Sequence, residues 1–111
     1  MAELTVLVAA EGGAAYSLGA VSSSDTFDND GNTILIVTNG GASSDTVAFV
    51  GQAACNYGVL HDTSVSVTNG TSKVFGPFST AHFNNSTGHV TVTHTYTTTV
   101  TCVAIRVPRV V

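Results

Sequence analysis

The apolar residues of this chain tend to recur at every second position, and nowhere do they hold a 3.6-residue period between capping residues. A strand turns successive side chains to opposite faces, whereas a helix needs apolar neighbours three and four apart. The chain is therefore expected to be all-β. The alternating stretches are short and separated by clusters of Gly, Asn and Ser. Seven to nine short strands at such spacing point to an antiparallel β-sandwich, jelly-roll-like in its connections. At 111 residues there is room for one core. A hydrophobic share of 43% is enough to offset the entropy of ordering it. Residues 1–111 read as a single domain, with no internal repeat and no linker.

Leu4, Val6 and Val8 alternate with Glu3, Thr5 and Leu7 as a first strand. After the Gly-Gly-Ala-Ala break at Gly12 to Ala15, Tyr16 to Val21 forms a second. Ser22 to Gly31 is rich in Asp, Asn and Ser and is expected to be a turn. Thr33 to Thr38 is apolar on both faces, which predicts a central strand covered on two sides. Asp45 to Val50 alternates again, and Gly51 to Asp62 reads as an irregular connection. Ser64 to Phe75 is expected to be a hairpin closed by a type I′ turn at Asn69-Gly70, with Val65 opposite Val74. Gly76-Pro77 ends it, because proline cannot donate to a ladder. Phe78 and Phe83 flank a bend. His89 to Thr99 forms a long strand with Val90, Val92, His94 and Tyr96 on one face, and Val100 to Val107 the last, stopped by Pro108.

Only 9% of the residues are charged, against about 25% in an ordinary soluble domain, and Thr and Ser take their place. The net charge is -4, with Lys73, Arg106 and Arg109 against seven acids. So few cations cannot neutralise a run of phosphates, which argues against nucleic acid as a partner. No apolar run approaches the roughly 20 residues that span a bilayer. Glu3 stands where a signal peptide carries Lys or Arg, so no membrane and no export are expected. Cys55 and Cys102 match neither a disulfide framework nor a zinc ribbon, and two buried thiols is the simpler reading.

The polar residues do not assemble into a reactive centre by spacing alone. His61 and Asp62 are adjacent, and neighbours on an extended chain point apart. His94 sits among Val90, Val92 and Tyr96, as a partly buried histidine with a hydroxyl or carbonyl partner would. His89 shares a face with threonines, and His82 lies in a turn beside Phe83. Asp25, Asp28, Asp30 and Gly31 have the alternating oxygens of a calcium loop, but Val37 stands where the closing acid belongs. Asn69, Asn84 and Asn85 head N-x-S/T triplets, which are also ordinary turn composition. Serine-nucleophile, phosphate-loop and dinucleotide motifs are absent. No enzyme, cofactor or metal is expected.

Several strings read together carry a resemblance. They are Phe27-Asp-Asn-Asp-Gly-Asn-Thr-Ile-Leu-Ile-Val-Thr-Asn-Gly-Gly41, Thr46-Val-Ala-Phe49, Gly76-Pro-Phe78, Phe83-Asn-Asn85 and Gly88-His-Val-Thr-Val-Thr93. From about residue 20 onward the chain resembles small all-β virion proteins of tailed bacteriophages, read as head decoration or cement proteins. The resemblance implies a structural role on the outer surface of the capsid, in a protein made in the bacterial cytoplasm. It implies the major capsid protein and copies of itself, as a trimer, as partners. A surface poor in charge and rich in hydroxyls suits copies that pack closely. The first twenty residues lie outside the resemblance and are the candidate attachment segment. Leu4, Val6 and Val8, with the cations Arg106 and Arg109 near the other end, are the expected contacts. Two other readings stay open: a head-fibre or tail adhesion module that binds a host glycan through Tyr16, Tyr57 or Tyr96, and a small capsid or tail-tube subunit.

Overall fold

The computed structural model describes residues 2–10, 12–52 and 63–107. Cys55, Tyr57, His61, Asp62, Pro108 and Arg109 lie outside the described residues, as does most of the connection expected over 51–62. The described chain is a β-sandwich of two sheets with one helical turn. The first sheet runs β1 (Ala2–Leu4), β4 (Ser24–Asp28), β9 (His89–His94), β6 (Asp45–Phe49), β7 (Thr63–Val67). The second runs β2 (Val6–Val8), β10 (Val100–Arg106), β5 (Thr33–Asn39), β8 (Thr71–Phe75), and β3 (Gly19–Ala20) pairs with the far half of β10. The helical turn α1 covers Thr80–Phe83, inside the bend expected between Phe78 and Phe83.

The sheets are mixed, where antiparallel ones were expected. The N-terminal strand breaks at Thr5, and its halves run parallel to their neighbours: β1 along β4 in the first sheet, β2 along β10 in the second. It thus closes one margin of both sheets. From β4 onward the chain passes between sheets at nearly every connection, as a jelly-roll-like order requires; only β6 and β7 are consecutive and paired.

That order overturns the expected hairpin. β7 pairs with β6 and β8 with β5, in different sheets, so Val65 stands opposite Val47 and Val74 opposite Ile36. The turn is built accordingly. Thr71 N donates to Thr68 O at 3.1 Å, Gly70 has φ +81°, and Thr99 is the only described non-glycine with positive φ. Asn69 is therefore not left-handed, and the type I′ geometry, which needs both central residues left-handed, is not formed.

Three other elements differ from expectation. Ser22–Gly31 is largely strand β4, because Asp25 and Phe27 face the interior. Only Gly19–Ala20 of the second expected strand is in a ladder. β9 stops at His94, because the backbone N–H groups of Thr95 and Tyr96 turn to Asp45 Oδ1 at 3.0 and 3.2 Å.

The core lies between the sheets. Phe27, Val47, Phe49, Val67, Val90 and Val92 of the first sheet meet Leu35, Val37, Phe75, Val100, Cys102 and Ala104 of the second. Phe78 closes one end, with ring centroids 4.7 Å from Phe49 and 5.5 Å from Phe27. Buried Asn29 and Asn39 satisfy loop carbonyls: Asn29 Nδ2 donates to Phe78 O, and Asn39 Nδ2 to Ser43 O and Val67 O. No helix among the described residues is long and apolar enough to cross a membrane.

Candidate interaction surface

Residues directly opposite in a ladder share a face, so the pairing register gives the composition of each outward surface. On the first sheet one row reads Glu3, Thr26, Thr91 and the next Ser24, Thr93, Ala48, Ser64, with Thr46 opposite Ser66 beyond. That surface is hydroxyl-clad. On the second sheet one row reads Leu7, Ile105, Ile34 and the next Val103, Ile36, Val74. Only the third row, Thr101, Thr38, Ser72, returns to hydroxyls.

Six aliphatic side chains thus form two adjacent rows across four strands, with no charged residue among them. Five of the six are half-buried by their neighbours, and Val74 on the margin is 63% exposed. The covering expected over both faces of Thr33–Thr38 is therefore only half supplied. Leu35 and Val37 face the core, while Ile34 and Ile36 face outward with no layer of the described chain over them.

Two shallow cavities flank the aliphatic rows. One of about 290 Å³ lies at the β2 margin, lined by Leu7, Val8, Tyr16 and Val103. Tyr16, 64% exposed, stands on its rim. The other, of about 280 Å³, is lined by Asn32, Ile34, Pro77 and Val107 at one end of the strands. Lys73 lies on β8, an edge strand, where a lysine discourages edge-to-edge pairing.

The expected contact residues fall near this surface without forming it. Leu4 and Val6 pack against the core, and Val8 is 49% exposed. The outward residue of that strand is Leu7, the one counted on its polar face. Arg106 is held within the chain. Its Nη2 donates to Asp28 Oδ2 at 2.9 Å and its Nε lies 3.2 Å from Asp30 Oδ2. The hydrogen bond to Asp28 raises its pKa above the ordinary arginine value, against a smaller opposing effect of burial, and Asp30 adds to the rise.

The chemically suggestive residues are used structurally. His94 Nδ1 donates to Asp45 Oδ2 at 2.6 Å, with both side chains wholly buried, so the partner is a carboxylate where a hydroxyl or carbonyl was expected. Asp25 turns inward and accepts from Ser22, whereas Asp28 and Asp30 hold Arg106, so the run of acids is split between two directions. His89 pairs with Glu3 at 3.2 Å, and His82 meets Phe83 edge-on. Among the described residues no three His, Cys, Asp or Glu side chains gather as metal ligands would. Burial first, and the nearby Asp25 carboxylate second, push the Cys102 thiol up to about 11. A thiol so shifted is a poor nucleophile at neutral pH. Tyr96 accepts a hydrogen bond from Ala42 N at its hydroxyl, away from Tyr16.

Sequence reasoning missed Ile34, Ile36, Val74, Val103 and Ile105 as surface residues. The available signal was the loss of alternation at Thr33–Thr38 and Val100–Val107, in a chain that alternates elsewhere. Compared with protein-family models, with curated proteins and with solved structures, the chain finds no match.

Proposed function

We propose that this chain is a structural protein of a phage head, a decoration or cement protein that binds the outside of the assembled shell and adds contact area between capsomers. The observation that carries the reading is the unequal dress of its two sheets. One outward surface is mostly threonine and serine, with Glu3 and the Asp28–His89 pair toward one end; the other carries two uncharged aliphatic rows with nothing of the described chain over them. A monomer at large in water gains nothing from such a surface, and contiguous exposed apolar patches mark sites of association. Among the described residues, Asp25, Asp28, Asp45, His89, His94 and Arg106 are tied up in the fold, which supports a binding role over a catalytic one. The resemblance of the chain from about residue 20 onward to phage head proteins supplies the partner.

In this reading the second sheet's outward surface is buried in the assembled particle, and Tyr16 extends the contact at its margin. The protein stabilises the shell by mass action, since a ligand that prefers the intact shell shifts the equilibrium toward it. Heads lacking this chain, with and without the purified protein added back, are compared for survival of heating and of low salt. Greater survival with the protein is expected. Equal survival removes the cement role.

A further inference from the structure

We propose that the occupant of the second sheet's outward surface is a second copy of this chain, stacked face to face about a two-fold axis that runs roughly along the strands. The inference rests on the reading above that this surface is buried in the assembly, and it names the partner there.

Charge is the first argument. None of Leu7, Ile34, Ile36, Val74, Val103 and Ile105 is charged, so the surface offers nothing to an acidic or a basic partner. An identical neutral surface meets it with no ion to desolvate. The chain carries a net charge of -4, and Glu3 lies on the outward surface of the other sheet. Stacking through the second sheet keeps that carboxylate on the far side of a body whose shortest extent is 21 Å, well beyond the screening length of about 8 Å at physiological salt. Stacking through the first sheet would instead have to desolvate Glu3, and with it Asp28 opposite His89.

Shape is the second. Sheets share one hand of twist and stack about 10 Å apart at about -30°, as the two sheets of each sandwich do. A second copy supplies a surface of matching twist, whereas a flat one would touch only along a ridge. The molecule is 38 by 38 Å across its broad extents. That leaves room for the roughly 800 Å² per partner of a specific interface.

The margins complete the fit. A two-fold axis along the strands lays the β2 margin of one copy over the β8 margin of the other. Tyr16 stands exposed at the first of these, in a cavity it shares with Val103, and Val74, in the row of Val103, stands exposed at the second. Tyr16 of each copy meets Val74 of the other, a reciprocal contact such as an isologous interface requires. Ile105 then meets Ile34 of the second copy, and the reverse.

Sedimentation velocity of the purified protein, from low micromolar to several hundred micromolar and at low and high salt, tests the pairing. A monomer–dimer equilibrium that high salt does not weaken is expected. Val74→Asp, at an exposed edge position, should leave the chain folded and monomeric. Tyr16→Ala should weaken the dimer by roughly 10-fold, the usual cost of losing an aromatic anchor. Thr93→Asp, on the other outward surface, should pair as the wild type does. A wild type that stays monomeric, a trimer, or a Val74→Asp dimer of unchanged affinity overturns the pairing. Shell protection by a strictly monomeric wild type would leave the decoration role standing and remove only the dimer. Pairing without shell protection would do the opposite.

Discussion

Val74 stands directly opposite Ile36 on the outward surface of the second sheet, and Val47 stands opposite Val65 on the inward surface of the first. The two pairs are chemically alike and differ in what covers them. Val74→Thr should change the stability of the dilute monomer by no more than about 0.5 kcal/mol, as surface substitutions do. Val47→Thr places a hydroxyl in the dry core and should cost about 1–3 kcal/mol. Urea unfolding of both variants at low protein concentration measures the contrast.

The His94–Asp45 contact joins β9 to β6 and also ends β9, since Asp45 accepts from the ring and from two backbone N–H groups. Asp45→Ala leaves the ring and Tyr96 N–H without an acceptor, and Thr95 N–H with only Thr46 O at 3.3 Å. Breaking a buried pair on one side costs about 3–5 kcal/mol, so this variant should unfold at markedly lower urea. In the native protein, nitrogen-15 NMR should find the His94 proton on Nδ1, shielded from exchange; a ring protonated only on Nε2 contradicts the assigned bond.

Cys102 gives the fold a dependence on alkaline pH. Its folded pKa, about 11, lies above the ordinary 9.0. Between those values the unfolded chain gives up the proton and the folded chain keeps it, so stability falls as pH rises through that window. Below the ordinary thiol value the contribution is constant. Denaturation midpoints at successive pH values should fall more steeply for the wild type than for Cys102→Ala above pH 9; parallel curves would show that burial does not hold the thiol neutral.

Arg106 ties the Asp28–Asp30 turn to the end of β10, but both acids are substantially exposed. Exposed ion pairs contribute about 0–1 kcal/mol. Arg106→Gln should therefore cost no more than about 1 kcal/mol, and the difference should shrink at high salt. A loss of several kcal/mol would mean that the pair is shielded from solvent.

The sandwich was legible because period-two alternation marks strands one at a time, and β5, β6, β9 and β10 fall where the pattern puts them. Pairing was less legible. Asn69-Gly70 suits a hairpin locally, yet β7 and β8 take partners in different sheets, a choice settled by which faces must meet across the core. Ser22–Gly31 has turn composition, but Asp25 and Phe27 turn inward and make it a strand. The interaction surface could have been found from Thr33–Thr38, whose apolar residues on both faces demand cover on both sides. Among the described residues the chain has two layers, so it covers one face of that strand and leaves the other open.

The central claim is that Ile36, Val74 and Val103 are under cover in the working particle. Hydroxyl-radical footprinting compares their oxidation in protein bound to heads with that in protein diluted until it is monomeric. The account predicts strong protection of these three side chains on heads, with little change at Thr91 and Thr93 on the opposite surface. Equal oxidation of Ile36, Val74 and Val103 in the two states would contradict it.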